Sequence, residues 1–461
     1  MSFEGRSIYM IGVGGAGMSS LARYLHGAGA AVHGTDRHPG SLSALVRDGV
    51  VTPPPANGRS TCLCDGMDYV VRTAAAQATT PEVKALTGRG VPLLKYAEML
   101  GLIMKAHRGF AVAGTHGKTT VSALIAHLLR GCDLDPSFVI GGTVPSLGGL
   151  GGARGKGDIL VVEACEFDRS FLNLEPDLLV ITNIEEDHLD CYRDLEDLRA
   201  AFAALIARVG GEQRVILWEG IPDREDLCCG AERQPLTFGL QSTSTLHARN
   251  VRLDGRGSSF ELVFRQQSLG EFRVNQPGNH NVRNALAAVA AALEAGCDVE
   301  AVRRALPGFT GVDRRLECRG TFHDVTLYSD YAHHPTEIAA VQETLRLVHP
   351  DRRVVTVYQA HQRSRTAFFL ERLAVNLARF DLTLVLETFS VRETDVDHLP
   401  DGRALSAAIA EEGGHTAFIG GLEGVADRIA GFLRRGDVLV LMGAGDIDEV
   451  AGSVVRALQR L

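Results

Sequence analysis

At two places this chain runs from a short strand-like segment into glycines and then into a helix-forming stretch, and few folds accommodate that pattern twice. The first is Ser7–Ile11 followed by Gly12-x-Gly14-x-x-Gly17; the second is Gly109–Ala113 followed by Gly114-Thr115-His116-Gly117-Lys118-Thr119-Thr120. Glycines at a strand end let the backbone turn sharply and approach a bound group closely. The helix that follows aims its unsatisfied N–H groups at that group. Each turn therefore predicts a parallel sheet with crossover helices and an anion at the carboxyl end of a strand.

Reading outward from the turns gives an α/β chain of three domains. Its 461 residues suffice for about three units of roughly 150 each. Residues 1–107 form a Rossmann-like N-terminal domain, with strands at Ser7–Ile11, Ala31–Gly34 and Tyr69–Val71, a helix over Met18–Gly27, and a turn at Pro53-Pro54-Pro55. Residues 108–311 form a central P-loop-type domain, with a helix over Thr119–Leu129 and further strands at Ile159–Val162 and Leu178–Ile181. Continuous apolar runs of this kind read as buried parallel strands. Antiparallel hairpins are expected over His247–Val274, then an Ala-rich helix over Val282–Ala295; glycine-rich Gly148–Gly157 reads as a mobile loop. Residues 312–461 form a second Rossmann-like domain, with strands at Thr326–Ser329, Val354–Tyr358, Leu382–Leu386 and Val438–Met442.

Composition narrows the function. Against 47 basic residues stand 56 acidic ones, a net of −9, which argues against a nucleic-acid partner. No apolar run approaches the ~20 residues of a membrane span. The start of the chain shows no basic-then-apolar leader, so a cytoplasmic protein without membrane insertion is expected. Cys62-x-Cys64 and Cys228-Cys229 are the close pairs among nine cysteines. Neither has zinc-site spacing, which favours free thiols in a reducing compartment.

The first turn does not choose its ligand. With Asp36 about twenty residues on, it fits the dinucleotide fingerprint, and hence NAD(P). The same geometry suits any nucleotide diphosphate, the UDP of a nucleotide sugar included, or a structural turn. The second turn is more specific. It is a phosphate loop of the shorter G-T-x-G-K-T form, since Val112 stands where a strict Walker A has glycine. Lys118 would neutralise the β/γ-phosphates of ATP, and Thr119 offers a hydroxyl to Mg²⁺. Glu163, at a strand end, is a candidate carboxylate for the same ion. His188 is a candidate ligand too, though imidazole is unusual on Mg²⁺, and on its own such a residue is more often a polar group at the surface.

At this point the motifs resemble those of the Mur ligases. The matching runs are Gly114–Thr120, Glu163-Ala-Cys-Glu166, Thr182-Asn183-Ile184-Glu-x-Asp187-His188-Leu-Asp190, Asn279-His280-Asn281-x-x-Asn284 and Arg314-Arg315. They continue through Asp330-Tyr331-Ala332-His333-His334-Pro335-Thr336-Glu337, His361-x-x-Ser364-Arg365-Thr366 and Leu441–Ile447, while Gly12-x-Gly14-Gly15-Ala16-Gly17-Met18 is similar to the family's UDP-sugar turn.

The resemblance implies an ATP-dependent ligase that joins L-alanine to UDP-N-acetylmuramate through an acyl phosphate, in peptidoglycan precursor synthesis, as a monomer or homodimer. It assigns Gly14, Gly15, Ala16, Gly17, Met18 and Asp36 to the UDP-sugar. ATP falls to Gly114, Thr115, His116, Gly117, Lys118, Thr119 and Thr120, with His280, Asn281, Asn284, Arg314, Arg315 and Asp330. The metal falls to Thr119, Glu163 and His188, and the amino acid to Tyr331, His334, His361 and Arg365, with His334 as general base. Asn281 reads alternatively as a helix cap, and Arg365 as a surface ion pair.

Three departures from the family pattern stand out: Ser329 in place of a first Asp before Asp330, Cys165 where Asp is common, and Gln362 where Arg often follows the histidine, leaving Arg365 or Arg363 for the amino-acid carboxylate. The alternative readings are a ligase that adds an intact tripeptide to the same sugar nucleotide and, in another class, an NAD-dependent oxidoreductase.

Overall fold

The computed structural model describes residues 2–53, 66–74, 76, 83–84, 90–188, 191–209, 214–228, 234–390, 393 and 396–460. Pro54, Pro55, Cys62, Cys64, Leu189, Asp190 and Cys229 lie outside the described residues. The chain divides into two units. The first comprises Met1–Val251, Ser259–Asn275 and Val282–Thr310; the second comprises Arg252–Ser258, Gln276–Asn281 and Gly311–Leu461.

Within the first unit, β1 (Ser7–Ile11), β2 (Ala31–Thr35), β3 (Tyr69–Arg72) and β4 (Leu93–Lys95) form a parallel sheet in the order β2-β1-β3-β4. All four carboxyl ends share one edge, from which the first glycine turn, Asp36, Thr73 and Tyr96 leave the sheet.

A second, ten-stranded sheet follows. Its strands are β5 (Arg108–Ala113), β6 (Ser137–Val144), β7 (Leu150–Ala153), β8 (Ile159–Glu163), β9 (Leu178–Ile181), β10 (Arg214–Trp218), β11 (Leu236–Gly239), β12 (Leu246–Asp254), β13 (Gly257–Phe264) and β14 (Gln267–Val274). They run in the order β14-β13-β12-β11-β10-β9-β5-β8-β6-β7. The last three strands of the chain order are joined by two-residue loops, which only antiparallel neighbours permit. The expected hairpins are these strands.

Gly148–Gly157, expected to be a mobile loop, instead holds β7, paired with β6. Its glycines serve close packing. A Cβ at Gly152 would lie 1.9 Å from the Ser20 carbonyl oxygen, and one at Gly151 2.4 Å from Ser20 Oγ. Ser20 Oγ also donates to Ile140 O at 2.6 Å, so this glycine-rich strand fastens the Ala16–Gly27 helix to the central sheet.

In the second unit, β15 (Glu317–Phe322), β16 (Val325–Asp330), β17 (Val354–Tyr358), β18 (Leu382–Leu386), β19 (Thr416–Gly420) and β20 (Val438–Met442) run in the order β15-β16-β20-β17-β18-β19. The sheet is parallel except at β15, which pairs antiparallel with β16. Apolar residues cover both of its faces, as a doubly wound sheet requires.

Candidate active site

Three adjacent parallel strands, β9-β5-β8, build the phosphate loop. Val112 of β5 lies beside Glu163, and Ala113 beside Ile181, so the loop, Glu163 and Thr182 emerge side by side. Gly114 and Gly117 have φ of 131° and 81°, conformations that favour glycine. A Cβ at Gly114 would meet Thr182 Oγ1 at 2.1 Å, and one at Gly117 would meet Asn284 Oδ1 at 2.9 Å. The residues after β9 hold the loop's shape: His116 N donates to Asn183 Oδ1 at 2.8 Å, Thr182 Oγ1 donates to His116 O at 2.5 Å, and Thr115 Oγ1 donates to Glu185 O at 3.1 Å. Thr182 to Glu185 thus act as the mould of the loop, a role their spacing alone did not reveal.

Thr119 Oγ1 donates to the Glu163 carboxylate, 3.1 Å from each oxygen, and Glu163 Oε2 also accepts from Gly141 N at 2.9 Å. A hydroxyl facing a carboxylate at a phosphate loop is the donor chemistry of a hard, oxygen-seeking cation. The residues present fit Mg²⁺. His188, with φ of 52°, meets Glu166 instead, with Nε2 to Oε1 at 3.5 Å.

Glu166 is the site residue that sequence reasoning passed over. It is fully buried, and its Oε1 lies 3.0 Å from Lys118 Nζ. Among the described residues its Oε2 has no hydrogen-bond partner. Lys118 Nζ also donates to Gly114 O at 2.5 Å and Thr115 O at 3.0 Å. Burial opposes the lysine's charge, but Glu166, ahead of other acidic neighbours, reverses the effect and raises its pKa. Glu166 is pushed up by burial and pulled further down by Lys118 and His188, so it is held below the usual carboxylate range. Both stay charged. Cys165 stands beside them: burial first, and the Glu166 charge second, push its thiol up to about 12. Beside the buried ion pair, this thiol stays neutral.

At the first turn, Gly14 N donates to Asp36 Oδ2 at 2.9 Å, and His38 N donates to Asp36 Oδ1 at 3.0 Å. Asp36 therefore shapes the turn itself. Gly15 and Ala16 lead into the helix, with Gly15 as its N-cap. Gly17 lies under the Tyr96 ring. The Met18 side chain is buried in the core, which leaves only its backbone for a ligand.

In the second unit, the ends of β16, β20 and β17 lie side by side, with Asp330 and Tyr358 both in register with Met442. Asp330 accepts from Leu316 N at 2.5 Å and Ala332 N at 2.6 Å, yet burial lifts its pKa to about 6. The Arg314 and Arg315 guanidinium groups lie 4.9 and 5.1 Å from the centre of the Tyr331 ring. Arg314 also donates to Gly443 O and Gly445 O, each at 3.3 Å. Ser329 donates to Asp448, which also pairs with Arg319 at 3.1 Å; a second aspartate at position 329 would stand against that carboxylate. Asn281 donates to Pro277 O at 2.9 Å, and His280 lies over Gly278.

His334 is wholly buried and caps the Pro335–Val348 helix, with Nδ1 accepting from Thr336 N at 3.2 Å. In that arrangement the neutral ring carries its proton on Nε2, which makes it a donor rather than a base. His361 stacks on Phe389 with ring centres 5.8 Å apart. Arg363 turns to Asp397 Oδ1 and Val396 O, each at 3.3 Å, whereas Arg365 is buried. Of the two arginines weighed for the amino acid, Arg365 is the one placed in the interior.

Family models match along the chain: "Mur ligase family, catalytic domain" over residues 7–108, "Mur ligase middle domain" over 112–292, and "Mur ligase, glutamate ligase domain" over 314–445. A UDP-N-acetylmuramate–L-alanine ligase of Salinibacter ruber is 36% identical over 98% of this chain and 95% of its own length. The chain belongs to the Mur ligase family. It is therefore an ATP-dependent, amide-forming ligase. Another Mur ligase relative, the enzyme of the same name from Desulfitobacterium hafniense, is 36% identical over 97% of this chain and 99% of its own. Among solved structures, a UDP-N-acetylmuramate–alanine ligase of Thermotoga maritima superposes with a TM-score of 0.82 at 25% identity, covering 98% of this chain and 99% of that one. A murein peptide ligase of Psychrobacter arcticus gives 0.73 at 24% identity, covering 99% of both chains, a likeness of fold alone. Among the described residues no helix is long and apolar enough to cross a membrane.

Proposed function

We propose that this enzyme joins L-alanine to the lactyl carboxylate of UDP-N-acetylmuramate in the cytoplasm, using ATP and Mg²⁺, as a step of peptidoglycan precursor synthesis. The observation that carries the reading is the Lys118, Thr119 and Glu163 constellation at the phosphate loop, in a chain similar end to end to alanine-adding ligases. The three domains are taken as residues 1–107 for the sugar nucleotide, 108–311 for ATP and 312–461 for the amino acid.

The lactyl carboxylate attacks the γ-phosphorus of ATP, and ADP leaves. The enzyme's part is positioning and charge neutralisation. Lys118 leaves its carbonyl and Glu166 partners to hold the β/γ-phosphates, and the loop amides shaped by Thr182 and Asn183 line the cradle. Thr119 and Glu163, with His188, would hold Mg²⁺, whose charge would offset that of the phosphoryl oxygens. Asn281, Asn284 and His280 are assigned to the nucleotide, and Arg314, Arg315 and Asp330 to the phosphoryl end. The amine of L-alanine then attacks the acyl phosphate and phosphate leaves. Arg365 takes the alanine carboxylate, with Tyr331, His361 and His334 lining the pocket. Because the backbone occupies Nδ1, His334 is proposed as a donor from Nε2. The general-base assignment is not kept.

The test is phosphate release by the purified enzyme with ATP, UDP-N-acetylmuramate and, separately, L-alanine, glycine, L-serine or a cell-wall tripeptide. L-Alanine should give the highest kcat/KM. Preference for the tripeptide would move the chain to the tripeptide-adding branch, and no ATP consumption with any amine would end the proposal.

A further inference from the structure

We propose that the Tyr96 hydroxyl is a substrate-binding group of this enzyme, donating a hydrogen bond to the reacting carboxylate of the nucleotide sugar beside the first glycine turn. The inference rests on the ligase reading above and deepens it.

Tyr96 leaves the carboxyl end of β4 as the first residue of the Tyr96–Met104 helix. It therefore stands at the same sheet edge as the first turn. A Cβ at Gly17 would lie 3.3 Å from the tip of the Tyr96 ring, from both Cζ and the hydroxyl oxygen. The phenol thus covers the N-terminus of the helix that the first turn opens, where unsatisfied N–H groups attract a nucleotide's diphosphate.

The same helix is fixed to the segment that follows Glu163. Lys95 Nζ lies 2.7 Å from Asp168 Oδ2. Gly101 approaches so near that a Cβ there would be 2.3 Å from Asn173 O. This second anchoring brings Tyr96 within the electrostatic reach of Glu163 and Cys165, which, after burial, add to the rise of its pKa. It remains a neutral phenol.

Among the described residues the Tyr96 hydroxyl has no hydrogen-bond partner. The Tyr96 side chain is only partly buried, so this hydroxyl stays open to a ligand. A lone donor, kept protonated, between a diphosphate-binding turn and a metal-binding carboxylate suits an anionic acceptor carried by the molecule on that turn. In the reaction proposed above that acceptor is the lactyl carboxylate. One of its oxygens accepts from Tyr96, while the other forms the bond to the γ-phosphorus as the bond from phosphorus to the ADP oxygen breaks. The phenol keeps its proton throughout. Its contribution is to hold the attacking group, so it acts on the sugar nucleotide and not on ATP.

Tyr96→Phe keeps the ring packed over Gly17 and removes only the hydroxyl. Wild type and variant are compared for KM of UDP-N-acetylmuramate, KM of ATP, ADP affinity by calorimetry without the sugar nucleotide, and Tm. Loss of a hydrogen bond to a charged acceptor should raise the sugar-nucleotide KM roughly tenfold or more. The ATP KM, the ADP affinity and Tm should stay at wild-type values. A variant whose sugar-nucleotide KM lies within twofold of wild type overturns the role of Tyr96 and leaves the ligase reading standing. A variant that loses ADP affinity, or unfolds several degrees lower, also overturns it, because the hydroxyl would then be structural. If wild type itself consumes no ATP with the sugar nucleotide and any amine, the ligase reading fails and this inference with it.

Discussion

In the first glycine turn the side chains that close on the backbone are Asp36, Ser41, Thr73 and Tyr96. In the second they are Thr182, Asn183 and Asn284, with Lys118, Glu163 and Glu166 reaching in around the loop. Both begin as a strand, glycines and a helix N-terminus, and both offer backbone amides to an anion. They differ in what neighbouring strand ends deliver. The first turn receives one carboxylate, spent on the turn's own amides, and neutral hydroxyls, which suit recognition. The second receives a buried cation held by a buried anion, and a hydroxyl held by a second carboxylate, which suit moving a phosphoryl group. A glycine turn supplies a cradle; the charges brought from other strands decide whether anything reacts in it.

Chelation should separate the two turns most sharply. With excess EDTA, ATP consumption should fall to background while UDP-N-acetylmuramate still binds, measured by calorimetry; equal loss of both would break the distinction. Lys118→Ala should cut the rate of ADP formation by about a thousandfold and leave sugar-nucleotide affinity within twofold. Near-normal turnover would remove Lys118 from the mechanism.

The glycines sharpen the contrast further. Gly114→Ala meets a φ of 131° together with Thr182 and the Asn183 backbone, so urea unfolding should show a loss of about 2 kcal/mol or more. Gly14→Ala meets chiefly the Ser41 side chain, at 2.0 Å, which can be removed. It should cost about 1 kcal/mol, much of it recovered in the Gly14→Ala, Ser41→Gly double variant. No recovery would mean that the first turn is as rigidly moulded as the second.

The strands at Ser7–Ile11, Val354–Tyr358, Leu382–Leu386 and Val438–Met442 could be read directly, because strands buried on both faces are continuous apolar runs. β7 could not. Glycines in a strand look like a loop until the Ser20 backbone they pack against is known. At the site, Lys118, Thr119 and Glu163 were legible, because a phosphate loop needs a cation, a hydroxyl and a carboxylate at strand ends. Glu166 was not. In sequence it is one more polar residue after a strand, and its meaning lies in the Lys118 and His188 side chains beside it. For His334, the sequence showed a ring able to hold or take a proton, but only the Thr336 amide shows where the proton sits.

Periodicity and turn chemistry are local, so the sequence by itself determined the α/β class, the positions of both glycine turns and the residue types a phosphate-handling site requires. Strand order is not local. The tertiary structure decided that β8 and β9 flank β5, that Glu166 pairs with Lys118, and that Tyr96 overlies Gly17. These are contacts between segments tens of residues apart, set by how apolar faces bury against one another and written in no single stretch of the chain.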